Sequence, residues 1–450
     1  MEGNSYPSDF AYKLAKFQSF TKNVIEVFPD GDRGVYTTNS RVRFTLPSAS
    51  TIDLSDIALS FTAKTKYDSI NDYTSTPKVG VGEILFPRNI EQLIRQLTIY
   101  SNGKIIQQIN DYDTLVSLMN DWKEQNEHSK VLSNATPTVA ARTAANFTPT
   151  VQNQEFVIKD WLGLMGKSAS ANILDTNVLG TVIIEILFSA SDCLIANVAT
   201  NAKFADAGDG TGGTGETVAS KTSGVDFEVS KLKLSMTRMS MPEEYYTMIQ
   251  RVLSSGKRRI LFDHYEIIEG SPANTGTNSV RFNMNSQSIN WMIGYMAQSN
   301  RKSNGKPKIW DSVSNQSSYY KRDGRTFSTG SYTVGSTKLP VNPMTNVDCY
   351  TNTLRLWGCK GDNKSHTNPR IDTLDQYKTS FHTIPLSLEY SQGSYDRDVK
   401  LMSGLDTNNL PVAITFEANL TGASNLTPVV VVNTSRILEF SDNQVVDVVM

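Results

Sequence analysis

A short stretch of the chain resembles a phosphate-binding loop, which would point to nucleotide chemistry. The stretch is "GLMGKS", residues 163 to 168, and it ends in the Gly-Lys-Ser with which such loops hold phosphate. The position that requires the first glycine holds Trp161, so the cradle of backbone N–H groups cannot form as in the known motif. We therefore predict a structural segment here and no nucleotide site.

The residues that bind metal ions or act as nucleophiles are few and scattered. They are the histidines His128, His264, His366 and His382 and the cysteines Cys193, Cys349 and Cys359. No His-x-x-His pair, no closely spaced cysteine pair and no Gly-x-Ser-x-Gly elbow is present. We predict no catalytic residue, no metal and no cofactor, and we do not expect an enzyme.

Charged residues occur in short groups that have simple structural explanations. The acidic pairs at 111/113 and 396/398 suit helix caps, turns and surface ion pairs better than acid–base catalysis. The basic triplet 257–259 follows a predicted helix end, where cations suit the dipole, and "RKSNGKPK" (301 to 308) is predicted to be a solvated loop. Because 43 Lys and Arg balance 45 Asp and Glu, we expect no sequence-specific binding to nucleic acid.

Length and cysteine content bound the number of domains and the compartment. A chain of 450 residues is too long for one ordinary core, which suggests two domains or one domain with large insertions. Only three cysteines occur, which indicates a reducing compartment. The first residues, "MEGNSYPSDF", carry neither the basic nor the apolar region of a secretory signal. The apolar runs "TVIIEILF" (181 to 188) and "PVVVV" (428 to 432) are too short to span a membrane. We expect a protein that is not exported through a signal peptide.

Most of the chain shows the period-two alternation of β-strands. In "SRVRFTLP" (40 to 47), Val42, Phe44 and Leu46 alternate with Arg41, Arg43 and Thr45. The segment "LTIYSNGKIIQQI" (97 to 109) sets two strands on either side of Asn102-Gly103, a pair that tolerates the positive φ angles of a tight hairpin turn.

Two helices and three long loops interrupt the strands. Apolar residues from Tyr112 to Trp122 recur at spacings of three and four, with Asn110 or Asp111 as a possible cap. A second helix begins at a capping box formed by Ser240 and Glu243 and ends at Gly256. The segments 129–155, 201–224 and 298–350 are predicted to be rich in loops.

One phrase of the sequence occurs twice. "SRVRFTLPSASTID" (40 to 53) is echoed by "NSVRFNMNSQSIN" (278 to 290), and each copy lies early in its own β-rich half. The predicted helix that ends at Gly256 separates the two halves. The sequence therefore indicates two successive all-β domains of similar ancestry.

An apolar stripe precedes the first strand pattern. In "FAYKLAKFQSF" (10 to 20), Phe10, Leu14, Phe17 and Phe20 lie near one another at helical spacing. We predict an N-terminal arm in which these four residues form an interface. The stripe either packs on its own domain or reaches a neighbouring subunit or a membrane surface.

Several motifs resemble the double jelly-roll major capsid proteins of double-stranded DNA viruses, most closely the polinton-like virus and virophage branch. They are "LIRQLTIYSNGKIIQQI" with "DYDTLVSLMNDW", "MPEEYYTMIQRVLSSG" with "RRILFDHYEII", "SVRFNMNSQSINWMIGYMA", and "SYDRDVKLMSGLDTNNLPVAITFEA". The resemblance implies an all-β fold of two antiparallel eight-stranded jelly rolls in tandem, with short helices and long loops. It implies an arm at 1–23, a first roll at 24–240 and a second roll at 241–450.

The resemblance also implies a function that is geometric rather than chemical. The chain would form homotrimers with a pseudo-hexameric outline, and these capsomers would tile an icosahedral virion capsid through lateral contacts. Penton and minor capsid proteins, and an internal membrane reached by the arm, would be further partners. Loops at 62–82, 129–155, 201–224 and 298–350 would face outward or lock the trimer. The protein would be made in the host cell interior.

Two alternatives from other classes remain open at this point. A carbohydrate-binding or glycan-cleaving β-sandwich protein would require exposed aromatic residues around a carboxylate pair. A trimeric viral fibre or spike would show short repeats, which the sequence lacks.

Overall fold

The computed structural model describes most of the chain between residues 21 and 449. The described residues are 21–31, 34–48, 50–67, 83–122, 154–166, 173–197, 225–254, 258–302, 308–311, 313–314, 316–357, 371, 373–388, 404–408, 413–422, 425–440 and 446–449.

The first half contains eleven described strands and two described α-helices. The strands are β1 Thr21–Val27, β2 Arg41–Thr45, β3 Thr51–Tyr67, β4 Glu83–Leu85, β5 Ile94–Ser101, β6 Lys104–Ile109, β7 Gln154–Ile158, β8 Ile173–Asp175, β9 Val182–Phe188, β10 Ile195–Asn197 and β11 Val225–Ser240. The helices are α1 Tyr112–Asn120 and α2 Thr176–Leu179, and short 3-10 turns lie at Ile90–Leu93, Gly163–Met165 and Ser191–Cys193.

The second half has the same mixture of elements. Its described strands are β12 Arg258–Glu269, β13 Gly276–Asn283, β14 Ile289–Gln298, β15 Lys308–Asp311, β16 Gln316–Ser317, β17 Phe327–Val334, β18 Thr337–Met344, β19 Ile384–Ser387, β20 Ala413–Leu420, β21 Leu426–Phe440 and β22 Val446–Val449. Helix α3, Glu243–Ser254, lies between the halves, α4 is Asn346–Trp357, α5 is Leu374–Ser380, and a 3-10 turn lies at Ser318–Tyr320.

Each half folds into two antiparallel sheets with the same strand order. In the first half the orders are β1-β11-β3-β7, with β8 also on β3, and β2-β9-β5-β6. In the second half they are β12-β21-β14-β19, with β22 also on β21, and β13-β20-β17-β18. In each roll the chain crosses repeatedly between the two sheets, apart from hairpins such as β5–β6 and β17–β18, as it does in a jelly roll. The predicted fold class of two eight-stranded jelly rolls is confirmed, and we call the two units the first and second rolls.

The repeated phrase of the sequence lies on the same strand of each roll. Val42 and Phe44 are in β2, the second strand of the first roll, and Val280 and Phe282 are in β13, its counterpart in the second. In both strands the two apolar residues are buried and the arginine between them is exposed. Each strand pairs with the equivalent neighbour, β9 or β20. The echo therefore marks a duplicated strand.

Other local predictions are confirmed, with small differences in their bounds. Asn102 and Gly103 form the β5–β6 turn with φ angles of 47° and 78°. Helix α1 begins after Asp111, as predicted, but the Asp111 side chain makes no capping hydrogen bond. Helix α3 begins at Glu243.

The prediction of loops at 298–350 was wrong. This segment holds strands β15 to β18 and the beginning of helix α4. Strands β17 and β18 form a hairpin that completes one sheet of the second roll. The loop predicted at 62–82 also differs in its first bound, because residues 62–67 belong to strand β3, which continues to Tyr67.

The core of the second roll depends on a glycine that makes room for an aromatic ring. Gly294 in β14 faces Phe416 in β20, on the opposite sheet, and a Cβ atom at position 294 would overlap the Phe416 ring. Phe416 is fully buried, so its ring has little space to move.

Gly294→Ala is therefore expected to lower the free energy of unfolding by about 1–3 kcal/mol through overpacking. Thermal or denaturant unfolding followed by circular dichroism measures the loss. The matched control is Gly422→Ala, where the nearest atom to the new Cβ is Thr326 Cγ2 at 3.6 Å. Equal stability of the two variants would contradict the packing argument.

Candidate functional site: the seam between the two rolls

The interface residues predicted from the sequence lie outside the described part of the chain. Phe10, Leu14, Phe17 and Phe20 all precede Thr21, where β1 begins. Their role stays a prediction.

The residues that suggested chemistry lie in structural positions. Gly163 of "GLMGKS" has a positive φ of 79°, and a Cβ there would overlap the Gln107 side chain. The backbone N–H of Leu164 donates to Gln107 Oε1 at 2.8 Å. The glycine thus serves a turn packed on β6, while Lys167 and Ser168 lie outside the described residues.

The described histidines and cysteines are buried and separate. Burial lowers the pKa of His264 and lowers that of His382 to about 3, so both imidazoles are neutral near pH 7. Burial raises the pKa of the Cys193 and Cys349 thiols, which keeps them protonated. Within the described ranges, no group of three or more His, Cys, Asp or Glu side chains is arranged to hold a metal ion. His128, His366 and Cys359 lie outside those ranges.

The described tryptophan side chains do not form an exposed sugar-binding surface. Trp122, Trp161 and Trp291 are buried, and Trp357 is half-buried against the Trp291 ring. Stacking on a sugar requires an accessible ring face, so these four residues give the glycan-binding alternative no support.

The two halves are joined by an apolar contact, which we call the seam. One sheet of the second roll, containing β12, β21 and β14, has buried residues on both faces. One face packs inside its own roll and includes Met292, Met296, Val430 and Val432. The other face joins the core of the first roll and includes Ile293, Tyr295, Val429 and Val431.

A small sheet also joins the halves through their backbones. Its strand order is β16-β15-β10-β4, so two strands come from each half. β10 pairs in parallel with β15 through Ile195 opposite Lys308 and Ala196 opposite Ile309. The two rolls are therefore connected by main-chain hydrogen bonds as well as by side chains.

A buried ionic group crosses the seam beside this sheet. The carboxylate of Asp121, which follows α1 in the first half, accepts hydrogen bonds from Arg88 Nη2 and Arg322 Nη2. Arg88 belongs to the first half and Arg322 to the second, and all three side chains are almost fully buried. Arg88 also donates from Nη1 to the Ser314 carbonyl at 2.9 Å, and its backbone N–H donates to Gln316 Oε1 at 2.8 Å.

A second charged group corrects one sequence-based prediction. Arg301, predicted to lie in a solvated loop, is buried and paired with Glu269. Its neighbour Lys302 reaches Glu269 Oε1 at 2.7 Å and, across the seam, Asp111 Oδ2 at 2.9 Å. Arg95 of the first roll lies 3.7 Å from the other oxygen of Asp111. Arg301 and Lys302 can lie at the seam because carboxylates from both halves neutralise their charges.

Asp113 is a buried carboxylic acid of the seam whose pKa lies near neutral pH. It is buried in α1, and its Oδ2 lies 3.5 Å from the hydroxyl of Tyr320 in the second half. Burial, helped by the nearby charge of Asp111, raises the pKa of Asp113 to about 7, although Arg95 opposes the shift. Burial shifts the pKa of Asp192 in the same direction.

Comparison with solved structures bears on the fold. No protein-family model and no curated protein matches the chain. A chain of the PBCV-1 virus capsid matches with a TM-score of 0.58 and 8% identity, over 97% of this chain and 98% of its own length. A chain from the cryo-EM structure of the Sputnik virophage matches with a TM-score of 0.57 and 11% identity, over 96% and 89%. The Faustovirus major capsid protein matches with a TM-score of 0.54 and 9% identity, over 98% and 93%.

The chain has the double jelly-roll fold of major capsid proteins. The alignments with these three structures cover both rolls of this chain, so the segments that form the seam lie within the aligned part of the fold. No helix in the described ranges is long and apolar enough to span a membrane.

Sequence analysis missed the polar residues of the seam. Arg88, Asp121 and Arg322 lie far apart in the chain, and nothing in their local pattern distinguishes them from surface residues. The one available signal was indirect. Asp121 precedes Trp122 at the end of the predicted helix, on a segment whose apolar residues required burial on more than one side.

Asp121→Ala is expected to lower the free energy of unfolding by about 3–5 kcal/mol, because it leaves Arg88 and Arg322 buried without their carboxylate. The control is Lys233→Ala, which breaks the exposed Lys233–Glu26 pair and is expected to cost about 1 kcal/mol or less. Denaturant unfolding at fixed protein concentration measures both. Similar losses in the two variants would show that the buried group does not stabilise the seam.

Asp113→Asn is expected to flatten the pH dependence of stability. The folded state holds the Asp113 proton up to about pH 7, whereas an unfolded chain releases it near pH 4. Stability from this group is therefore present at low pH and is lost as the pH rises from about 4 to 7, by up to about 4 kcal/mol. Thermal midpoints between pH 5 and 8 should fall more steeply in the parent than in the variant. Parallel curves would contradict the buried-proton assignment.

Proposed function

We propose that the protein is a major capsid protein that forms homotrimers with a pseudo-hexameric outline, and that these capsomers tile an icosahedral viral shell. The observation that carries the proposal is the duplication: two rolls of identical strand order are locked side by side by a buried seam. Three such chains around a threefold axis present six similar rolls, and six similar units fill a hexagonal outline.

The seam supports a structural role rather than a catalytic one. Its charged groups are paired with one another across the two halves, and those of Arg88, Asp121 and Arg322 are almost fully buried. A catalytic site needs such groups around a cleft that substrate can enter. Among the solved structures of similar fold are a chain of the PBCV-1 virus capsid and the Faustovirus major capsid protein.

We propose the domain division given above, with an arm at 1–23, a first roll at 24–240 and a second roll at 241–450. The strand assignments support the division between the rolls, since the first two sheets use residues 21–240 and the last two use residues 258–449. Strand β1 begins at Thr21, within the last three residues of the proposed arm. The arm would bind a neighbouring subunit or an internal membrane through Phe10, Leu14, Phe17 and Phe20. Penton and minor capsid proteins would be the further partners in the virion, after synthesis inside the host cell.

The first test is the solution mass of the purified chain by light scattering after size exclusion, with negative-stain images of the same peak. We expect three times the chain mass of 49.8 kDa and a hexagonal outline. A monomer without that outline, in conditions that promote assembly, would overturn the proposal.

A further inference from the structure

A second phrase of the sequence also occurs in both rolls. Leu-Asp-Thr-Asn stands at 174–177 in the first roll and at 405–408 in the second. At the same spacing after its threonine begins the strand that pairs with β2 or β13, which is β9 in the first roll and β20 in the second. Four shared letters carry little weight in a chain of 450 residues, so the geometry of the two copies must decide whether they are equivalent.

The first copy is bonded through its threonine to the turn that follows β2. The backbone N–H of Thr176 donates to the Ser50 carbonyl at 2.9 Å. The Thr176 hydroxyl donates to the Pro47 carbonyl at 2.9 Å and accepts from the Ser50 N–H at 2.8 Å. Thr176 is buried, so loss of its hydroxyl would leave main-chain groups of this turn without a partner.

The second copy makes the same contacts with the turn that follows β13. The backbone N–H of Thr407 donates to the Ser286 carbonyl at 2.8 Å. The Thr407 hydroxyl donates to the Met284 carbonyl at 2.7 Å and accepts from the Ser286 N–H at 3.1 Å. Thr407 is also buried. Each of these bonds has its counterpart in the first roll, and the two copies are therefore structurally equivalent.

The other residues of the phrase also have corresponding partners. Leu174 pairs with Ile52 in antiparallel orientation, and Leu405 pairs with Ile289 in the same way. Both isoleucines are fully buried, and both belong to the repeated phrase that contains β2 and β13. In each copy the aspartate Oδ1 accepts a hydrogen bond at 2.9 Å from the N–H of the asparagine two residues later. The two repeats of the sequence thus contact each other in each roll.

The strands beside this contact lack a turn that would define their pairing. β2 and β9 are distant in the chain, as are β13 and β20, whereas the turn of a hairpin sets the register of its two strands. A slip of one residue in β2 would turn Val42 and Phe44 toward solvent and bring Arg43 into the core. A fixed point next to the strand pair opposes such a slip.

We propose that Leu-Asp-Thr-Asn is a latch that occurs once in each roll and holds the start of β9 or β20 against the turn after its partner strand. The threonine bonds to the turn, the leucine pairs with the strand that follows the turn, and the aspartate stabilises the bend of the phrase itself. Each latch acts within its own roll and does not require the proposed trimer.

The test compares two substitutions of each threonine. Thr176→Val and Thr407→Val remove the hydroxyl at nearly constant volume, whereas Thr176→Ser and Thr407→Ser retain it. Hydrogen exchange of the full chain, followed by mass spectrometry of its peptides, measures local opening. Each valine variant is expected to exchange about tenfold faster or more in the turn and strand pair of its own latch, with the other roll unchanged. The serine variants should remain close to the parent.

The control is Thr353→Val, which removes an equally buried hydroxyl outside the latches. Its oxygen lies 2.7 Å from the Cys349 carbonyl and 2.8 Å from the Thr383 hydroxyl, so exchange should rise around α4 and not at either latch. If Thr407→Val does not fold, Asp406→Ala removes only the bond to the Asn408 N–H and should speed exchange at the second latch alone. Unchanged exchange, acceleration spread evenly over both rolls, or equal acceleration in the serine variants would overturn the latch.

Discussion

The structure depends on one sheet of the second roll that is buried on both faces. Strands β21 and β14 direct alternate residues into their own roll and into the first roll. This explains the uninterrupted run Val429 to Val432, because successive side chains of this part of β21 are buried on opposite faces and neither face meets solvent. It also means that neither roll completes its packing without the other, since separation would expose a full apolar face of the sheet.

Charge inside the seam adds specificity to this apolar contact. Apolar side chains tolerate sliding and repacking, whereas a carboxylate held between two guanidinium groups accepts one arrangement. Asp121 sits between Arg88 and Arg322, one from each half, and any displacement of the rolls would leave a buried charge without its partner. We infer that the apolar faces provide most of the driving force for association, while the ionic groups define the relative position of the rolls.

The sequence was most informative where the determinants are local. Strand alternation, the Asn102-Gly103 turn and helix α1 follow from neighbouring residues, and the echo at Val42 and Val280 located the duplicated strand. Helix α4 was missed because its buried stripe consists only of Cys349 and Thr353, which gives little apolar periodicity. The buried charges were missed for a different reason. Burial of Arg301 or Asp121 results from contacts with distant segments, and a single sequence contains no sign of such contacts.

The two surfaces that meet at the seam differ from each other, and this difference determines how contacts of the same kind could continue from one unit to the next. A contact between two identical surfaces is satisfied once, within a pair, whereas a contact between unlike surfaces leaves one of each free at the ends. Whether a chain of such contacts closes or continues depends on the angle between successive units, and in this protein the seam sets the angle between the two rolls. In the trimer that we propose, small angular errors would accumulate around the ring of six rolls. The backbone sheet β16-β15-β10-β4 and the Asp121 group restrict the angle between the two rolls of one chain, and they would therefore act on the geometry of that proposed assembly.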